Sequence, residues 1–124
     1  MSDDQLPTVI VVEDDSMVRE GFRDCLESAG YSVVSFGSAE EFLAAMPLSD
    51  TSCLIIDIQL PGLSGLEFQR RLNEMGNHPP IVFVTAHGTA ANRQQALREG
   101  AAAFLTKPVR RGHLLNAVTA AMRS

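Results

Sequence analysis

The sequence contains no tryptophan, one tyrosine and only two cysteines among its 124 residues. Two cysteines are too few for the disulfide framework that stabilises many small secreted domains. Cys25 falls within an apolar helical stripe and Cys53 at the start of a strand, so we expect both to be reduced core residues. The sequence alone leaves a pair between them open. Reduced thiols are typical of cytoplasmic proteins.

Long hydrophobic runs and an excess of positive charge are also missing. Apolar runs such as residues 9–12 and 81–84 are far shorter than the roughly 20 residues that cross a membrane. The N-terminus, MSDDQLPT, carries two acids and no basic residue, unlike a secretory signal. The formal net charge of -5 disfavours a general nucleic-acid-binding surface. We expect one cytoplasmic domain, residues 1–124, that contacts neither membrane nor nucleic acid directly.

Apolar runs alternate with segments of helical period along the whole chain. The predicted strands are residues 9–12, 32–36, 54–56, 81–84 and 102–105. Most are solidly apolar, which is typical of parallel strands covered on both faces. The pattern therefore predicts an α/β fold, a doubly wound (βα)5 domain with a five-stranded parallel sheet.

Capping residues place the helices between these strands. Ser38 with Glu41 and Ser64 with Glu67 match the Ser-x-x-Glu capping box, so helices should begin near residues 38 and 64. Glycines favour the left-handed conformation that ends many helices. The predicted helix ends are therefore at Gly30, Gly76 and Gly100.

Polar side chains follow four of the predicted strands. They are Glu13, Asp14 and Asp15 after the first, Asp57 after the third, Thr85 after the fourth and Lys107 after the fifth. The carboxyl ends of parallel strands meet at one edge of the sheet, where such folds bind their ligands. Carboxylates gathered there repel one another unless a cation neutralises them, and oxygen ligands suit Mg²⁺. With a lysine and a hydroxyl beside it, this is a site for a phosphoryl group, and Asp57 would be the nucleophile.

Taken singly, these residues have simpler interpretations. Asp14 or Asp15 could cap the following helix, and Thr85 could be an ordinary β-branched strand end. Lys107 alone is typical of a solvated surface, and Phe104 of a core residue. Only their combination at one edge of the sheet favours a site that binds a metal and a phosphoryl group.

Four motifs in this order resemble the receiver domains of two-component response regulators. They are VVEDD at 11–15, IIDIQLPGLSG at 55–65, VTAHG at 84–88 and FLTKP at 104–108. The resemblance covers essentially the whole chain and implies a CheY-like sheet with strand order 2-1-3-4-5. The segments LPGLSGLEFQRRL and VTAHGT are most similar to receivers of the FixJ and NarL kind, which precede DNA-binding output domains.

The resemblance implies a role for each site residue. Asp57 would accept a phosphoryl group from the phosphohistidine of a sensor histidine kinase, with Mg²⁺ or Mn²⁺ as cofactor. Asp14 would bind the metal directly and Glu13 through water, while Asp57 and the backbone carbonyl of Gln59 supply further ligands. Lys107 would contact the phosphate.

The resemblance also implies how phosphorylation is transmitted. The Thr85 hydroxyl would move inward and open space for Phe104, changing the surface of the fourth helix, fifth strand and fifth helix. That surface would act on a C-terminal output domain, a downstream protein or a second copy of the chain. Pro108 would follow a cis peptide bond. The fourth helix, about residues 89–99, is the least apolar, so we expect it to be the loosest element.

Two positions depart from the commonest family pattern. Glu13 stands where many relatives carry aspartate, which adds one methylene to this metal position. Phe104 lacks the hydroxyl of the frequent tyrosine, so an output that depends on that hydrogen bond is in question.

Three other functions are compatible with parts of this pattern. Aspartate-nucleophile phosphohydrolases carry Asp-x-Asp, but Gln59 occupies the second position, so we expect no multiple-turnover enzyme. A flavodoxin-like nucleotide binder needs a phosphate loop after the first strand, where residues 13–15 would repel phosphate. The alternative left open is a pseudo-receiver, a protein-interaction module that keeps the fold without phosphorylation.

Overall fold

Strands and helices alternate through residues 6–46 and 51–123, which the computed structural model describes. The elements are β1 (Thr8–Val12), α1 (Ser16–Ser28), β2 (Ser32–Phe36), α2 (Ala39–Ala45), β3 (Thr51–Asp57), α3 (Gly65–Met75), β4 (Ile81–Thr85), α4 (Ala90–Arg98), β5 (Ala103–Thr106) and α5 (Arg111–Arg123). Residues 1–5, part of the N-terminal segment interpreted above, lie outside this description. No helix in the described ranges is long and apolar enough to cross a membrane.

The strands form one parallel sheet in the order β2-β1-β3-β4-β5, which confirms the predicted fold class. Val12 pairs with Ile56, and Asp57 pairs with Val84. At the far side, Thr85 pairs with Thr106. This register brings the residues that follow β1, β3, β4 and β5 to the same edge.

The core has two layers because every central strand is buried on both faces. Along β3, Leu54 and Ile56 face one layer, whereas Cys53 and Ile55 face the other. The first layer is completed by Phe42, Phe68, Leu72 and Ala96 from α2, α3 and α4, and the second by Phe22, Leu26, Leu114 and Val118 from α1 and α5. The helices therefore clamp the sheet and fix where its carboxyl edge lies.

Several strand bounds differ from those predicted. β3 begins at Thr51 rather than at residue 54, because backbone pairing with Thr8 of β1 extends it beyond its apolar run. β3 and β4 continue one residue beyond the predicted apolar runs, so that Asp57 and Thr85 are their last residues. β5 is shifted by one residue, to 103–106. Side-chain polarity therefore predicts the ends of a strand poorly, because backbone pairing can continue into polar residues.

The helices begin where their capping residues predicted. Ser38 and Ser64 cap α2 and α3, and the Ser64 backbone N–H also donates the reciprocal bond to the Glu67 carboxylate. At α2 the Glu41 carboxylate accepts instead from the backbone N–H of Gly37. Asp15 caps α1 by accepting from two backbone N–H groups, so this acid has the structural role considered for it.

The helix ends and the cysteines can also be compared with their predictions. Gly30, Gly76 and Gly100 all have positive φ, as expected at helix ends. Both cysteines are free, and Cys53 is buried. Burial raises the pKa of the Cys53 thiol to about 12. Cys25 is half-buried and packs against the core layer that contains Phe22 and Leu26, so the prediction of a core position is confirmed in part.

Candidate functional site

An ion-paired cluster occupies the carboxyl edge of the sheet. The Lys107 ammonium lies 2.7 Å from Oε1 of Glu13 and 2.8 Å from Oδ2 of Asp57. Glu13 directly follows β1, and Lys107 follows β5, on opposite sides of β3 and β4. The sheet therefore joins residues that are 94 and 50 positions apart in sequence.

Asp14 completes a group of three carboxylates with Glu13 and Asp57. One oxygen of each lies within 4.8 Å of the others, so the three could hold one metal ion. Glu13 and Asp57 are 1% and 4% exposed, whereas Asp14 is open to solvent. Hard oxygen ligands with one open side suit Mg²⁺, which usually keeps several waters. The donor set therefore fits the metal that the sequence predicts.

Burial and ion pairing set the charges of this cluster. Burial raises the pKa of Glu13, and the Asp57 charge adds to this, against the opposing hydrogen bonds from Lys107 and Asp15. Burial also acts to lower the pKa of Lys107, but its hydrogen bonds to Asp57 and Glu13 outweigh it and raise that pKa. Lys107 therefore stays protonated and offsets part of the negative charge of the two buried carboxylates.

The backbone around Asp57 orients its carboxylate. The N–H of Gln59 donates to Oδ1 of Asp57 at 2.9 Å, while Oδ2 takes the Lys107 bond. Ile58 continues the backbone contact with β4 through Val84. A Cβ at Gly65 would collide with the Asp57 carbonyl, so α3 can start this close to β3 only with glycine there. Both carboxylate oxygens are thus held by fixed donors.

Thr85 and Phe104 lie beneath the loop that follows β4. Thr85 is fully buried, and its Oγ1 accepts a 3.3 Å hydrogen bond from the backbone N–H of His87. The Phe104 ring already packs in the core, where a Cβ at Gly88 would lie 3.0 Å from its Cε1. Phe104 is therefore a buried residue in this structure. The peptide bond from Lys107 to Pro108 is cis.

Arg19 is a site residue that the sequence did not indicate. Its Nη1 donates to the backbone carbonyl of Glu13 at 2.7 Å and to that of Asp14 at 3.4 Å. Nothing in the local pattern distinguishes Arg19 from Arg23, one helical turn later. Only the path of the loop after β1 reveals the contact.

Comparison with known proteins identifies the family. The protein-family model described as "Response regulator receiver domain" matches residues 9–119. The chain belongs to this family. Phosphoryl transfer and Mg²⁺ binding are general properties of these receiver domains, and this chain is therefore a receiver domain of a two-component system.

Individual relatives agree with this assignment. The receiver domain is 46% identical over 113 residues to nodulation protein W of Bradyrhizobium diazoefficiens, covering 91% of this chain and 50% of that protein. It is 40% identical over 115 residues to the transcriptional regulatory protein FixJ of Azorhizobium caulinodans, covering 92% and 54%. The predicted likeness to FixJ is thus confirmed. The chain spans about half the length of these curated relatives.

A solved structure shows the same fold. The response regulator StyR superposes with a TM-score of 0.88 at 42% identity, over 95% of this chain and 60% of that one. The likeness therefore extends through the whole sheet and its helices.

Proposed function

We propose that this receiver domain accepts a phosphoryl group on Asp57 from the phosphohistidine of a sensor histidine kinase. The observation that carries the proposal is the bridge of Lys107 between Glu13 and Asp57, with Asp14 beside them. A nucleophilic carboxylate, a fixed cation and two further acids at one edge of the sheet form the apparatus that phosphoryl transfer needs.

Glu13, Asp14 and Asp57, with the backbone carbonyl of Gln59, would hold Mg²⁺ or Mn²⁺. Their oxygen donors and spacing support this assignment. When bound, the metal neutralises negative charge on the carboxylates and on the incoming phosphoryl oxygens.

Asp57 performs the transfer as a nucleophile. One of its carboxylate oxygens forms a bond to phosphorus as the bond from phosphorus to the donor histidine nitrogen breaks, and the electron pair leaves with that nitrogen. Gln59 N–H holds Oδ1 in place during this step. Lys107 exchanges its contact with the carboxylate for the phosphoryl oxygens, so its charge is retained where negative charge develops. The product is an aspartyl phosphate, and with Gln59 in place of a second acid the domain is not a multiple-turnover enzyme.

The donor histidine would approach over α1 and the loop after β5. A mainly apolar groove of about 800 Å³ lies there, lined by Val18, Phe22 and Cys25 of α1 and by Pro108 and Val109. Lys107 lines the same groove, which makes it continuous with the phosphorylation site. Its position supports contact with an apolar helix of the kinase.

The phosphoryl group would change the surface formed by α4, β5 and α5. Its charge and acceptor oxygens would attract the Thr85 hydroxyl, and the loop over Phe104 would move with it. Residues 1–124 would then act as one cytoplasmic module on a C-terminal DNA-binding domain, a downstream protein or a second copy. The relative FixJ is a transcriptional regulatory protein, which supports a transcriptional output.

Intact-mass measurement after incubation with acetyl phosphate tests the proposal. We expect the wild type to gain one phosphoryl group in the presence of Mg²⁺ and none with a chelator. Asp57→Asn should gain none. The matched control is Asp15→Asn, which alters a neighbouring acid but preserves a good helix cap, and should be phosphorylated normally.

Two results would contradict it. A gain that survives in Asp57→Asn means that another residue is the nucleophile. Absence of any gain with both acetyl phosphate and phosphoramidate, a donor with the P–N bond of phosphohistidine, would favour the pseudo-receiver.

A further inference from the structure

Arg19 links helix α1 to the backbone of the acidic loop. Its guanidinium donates to the carbonyl oxygens of Glu13 and Asp14 at 2.7 and 3.4 Å. The first distance is that of a strong, charge-assisted hydrogen bond. Arg19 itself is half-buried and belongs to the first turns of α1, a helix packed against the sheet through Phe22 and Leu26. A rigid element thus holds the loop.

Other contacts fix Glu13 but leave Asp14 dependent on its backbone. The Glu13 N–H donates to the Phe36 carbonyl, and its side chain accepts from Asp15 N–H and from Lys107. The Asp14 carboxylate is exposed to solvent. Its direction therefore follows from the orientation of the peptide groups on either side, and Arg19 binds both of them, through the Glu13 carbonyl at 2.7 Å and the Asp14 carbonyl at 3.4 Å.

We propose that Arg19 is a positioning residue for the metal site, an inference that rests on the proposed function. By holding the carbonyls of Glu13 and Asp14, Arg19 keeps the Asp14 carboxylate within reach of Glu13 and Asp57. Groups that orient metal ligands commonly change metal affinity by about 10- to 100-fold when they are removed.

Electrostatic repulsion opposes the positioning effect, so the direction in which metal affinity changes when Arg19 is removed distinguishes the two. A guanidinium near the site repels a divalent cation, so charge alone predicts tighter metal binding when Arg19 is removed. However, the guanidinium binds the carbonyl side of the loop, and solvent reaches the open side of the site at Asp14. We therefore expect the loss of orientation to outweigh the loss of repulsion.

Arg23 provides a matched control on the same helix. Its guanidinium donates to the Val33 carbonyl at 3.3 Å and to Ser35 Oγ at 3.0 Å. It thus ties α1 to β2 as Arg19 ties α1 to the acidic loop. Arg23→Ala removes an arginine, a charge and comparable hydrogen bonds without touching a metal ligand.

The experiment is a direct titration of metal-free protein with Mn²⁺, in which free ion is measured by electron paramagnetic resonance. Urea unfolding of the same variants without metal gives their stability. We expect Arg19→Ala to bind Mn²⁺ about 10-fold more weakly, and Arg23→Ala to bind as the wild type does. Arg19→Lys, which keeps the charge and can make one of the bonds, should recover part of the affinity and remains informative if Arg19→Ala does not fold.

Three results would overturn the inference. Unchanged or tighter binding by Arg19→Ala excludes a positioning role while leaving the metal site intact. Equal weakening in Arg23→Ala means that general loosening of α1 is the cause. Absence of Mn²⁺ binding by the wild type removes the metal site of the proposed function, and the inference with it.

Discussion

At the residue scale, Lys107 supplies the positive charge that pairs with the buried carboxylates of Glu13 and Asp57 in the metal-free site. Its side chain is 17% exposed and pairs with a Glu13 side chain that is 1% exposed. Removing one partner of such a pair leaves an uncompensated charge in a poorly solvated place. The residue proposed to contact phosphate therefore also contributes to the stability of the metal-free fold.

Lys107→Met should lower the free energy of unfolding at pH 7 by about 3 kcal/mol, because Glu13 and Asp57 lose their shared cation. Added Mg²⁺ should restore part of that loss, since it binds the same carboxylates. Urea unfolding with and without Mg²⁺ measures both effects. Arg70→Met, which breaks an exposed pair with Glu99, is the control and should cost little. Equal small losses in both variants would show that the Lys107 cluster is not a stabilising unit.

At the element scale, α3 and α4 differ in how firmly they are held. The start of α3 is fixed by the capping box of Ser64 and Glu67 and by the close approach of Gly65 to Asp57. Of the residues in α4, only Ala96 is buried. Gln69 of α3 donates to the Ala96 carbonyl and ties this part of α4 to α3. The helix after the nucleophile is thus fixed at its start, whereas the helix proposed to respond buries a single residue.

The capping box predicts a dependence of stability on pH. The hydrogen bond from Ser64 N–H lowers the pKa of Glu67 below its ordinary value of 4.5. A lowered folded-state pKa stabilises the fold above 4.5, and this contribution is lost as pH falls through the folded-state value. Glu67→Gln keeps a hydrogen-bonding side chain that does not titrate. Unfolding at pH 7 and pH 3 should therefore show the wild type losing stability relative to Glu67→Gln, and an unchanged difference would refute the box as its source.

Weak burial predicts fast amide exchange in α4. We expect its amides to exchange faster than those of α5, which buries Leu114, Val118 and Ala121. Within α4, residues near Ala90 should exchange faster than those near Ala96, where Gln69 holds the helix. Hydrogen exchange resolved by mass spectrometry measures this. Protection of α4 equal to that of α5 would contradict the expectation made from its polar sequence.

At the scale of the whole molecule, the sequence predicts the sheet and the edge that carries the site. Solid apolar strands identify a sheet covered on both faces, and parallel strands must bring Glu13, Asp57 and Lys107 to one edge. Contacts that depend on the path of a loop cannot be predicted in this way. The Arg19 bonds to two carbonyls depend on backbone directions that no residue spacing encodes.

The most direct measurement is hydrogen exchange of the whole domain with and without beryllofluoride and Mg²⁺, which together mimic a phosphoryl group on aspartate. If charge at Asp57 is transmitted through Thr85, exchange should change in the β4–α4 loop and in α4, β5 and α5, while α2 stays the same. Asp57→Asn should show no change. Wild-type exchange that stays the same in α4, β5 and α5 under saturating mimic would contradict a switch operated from Asp57.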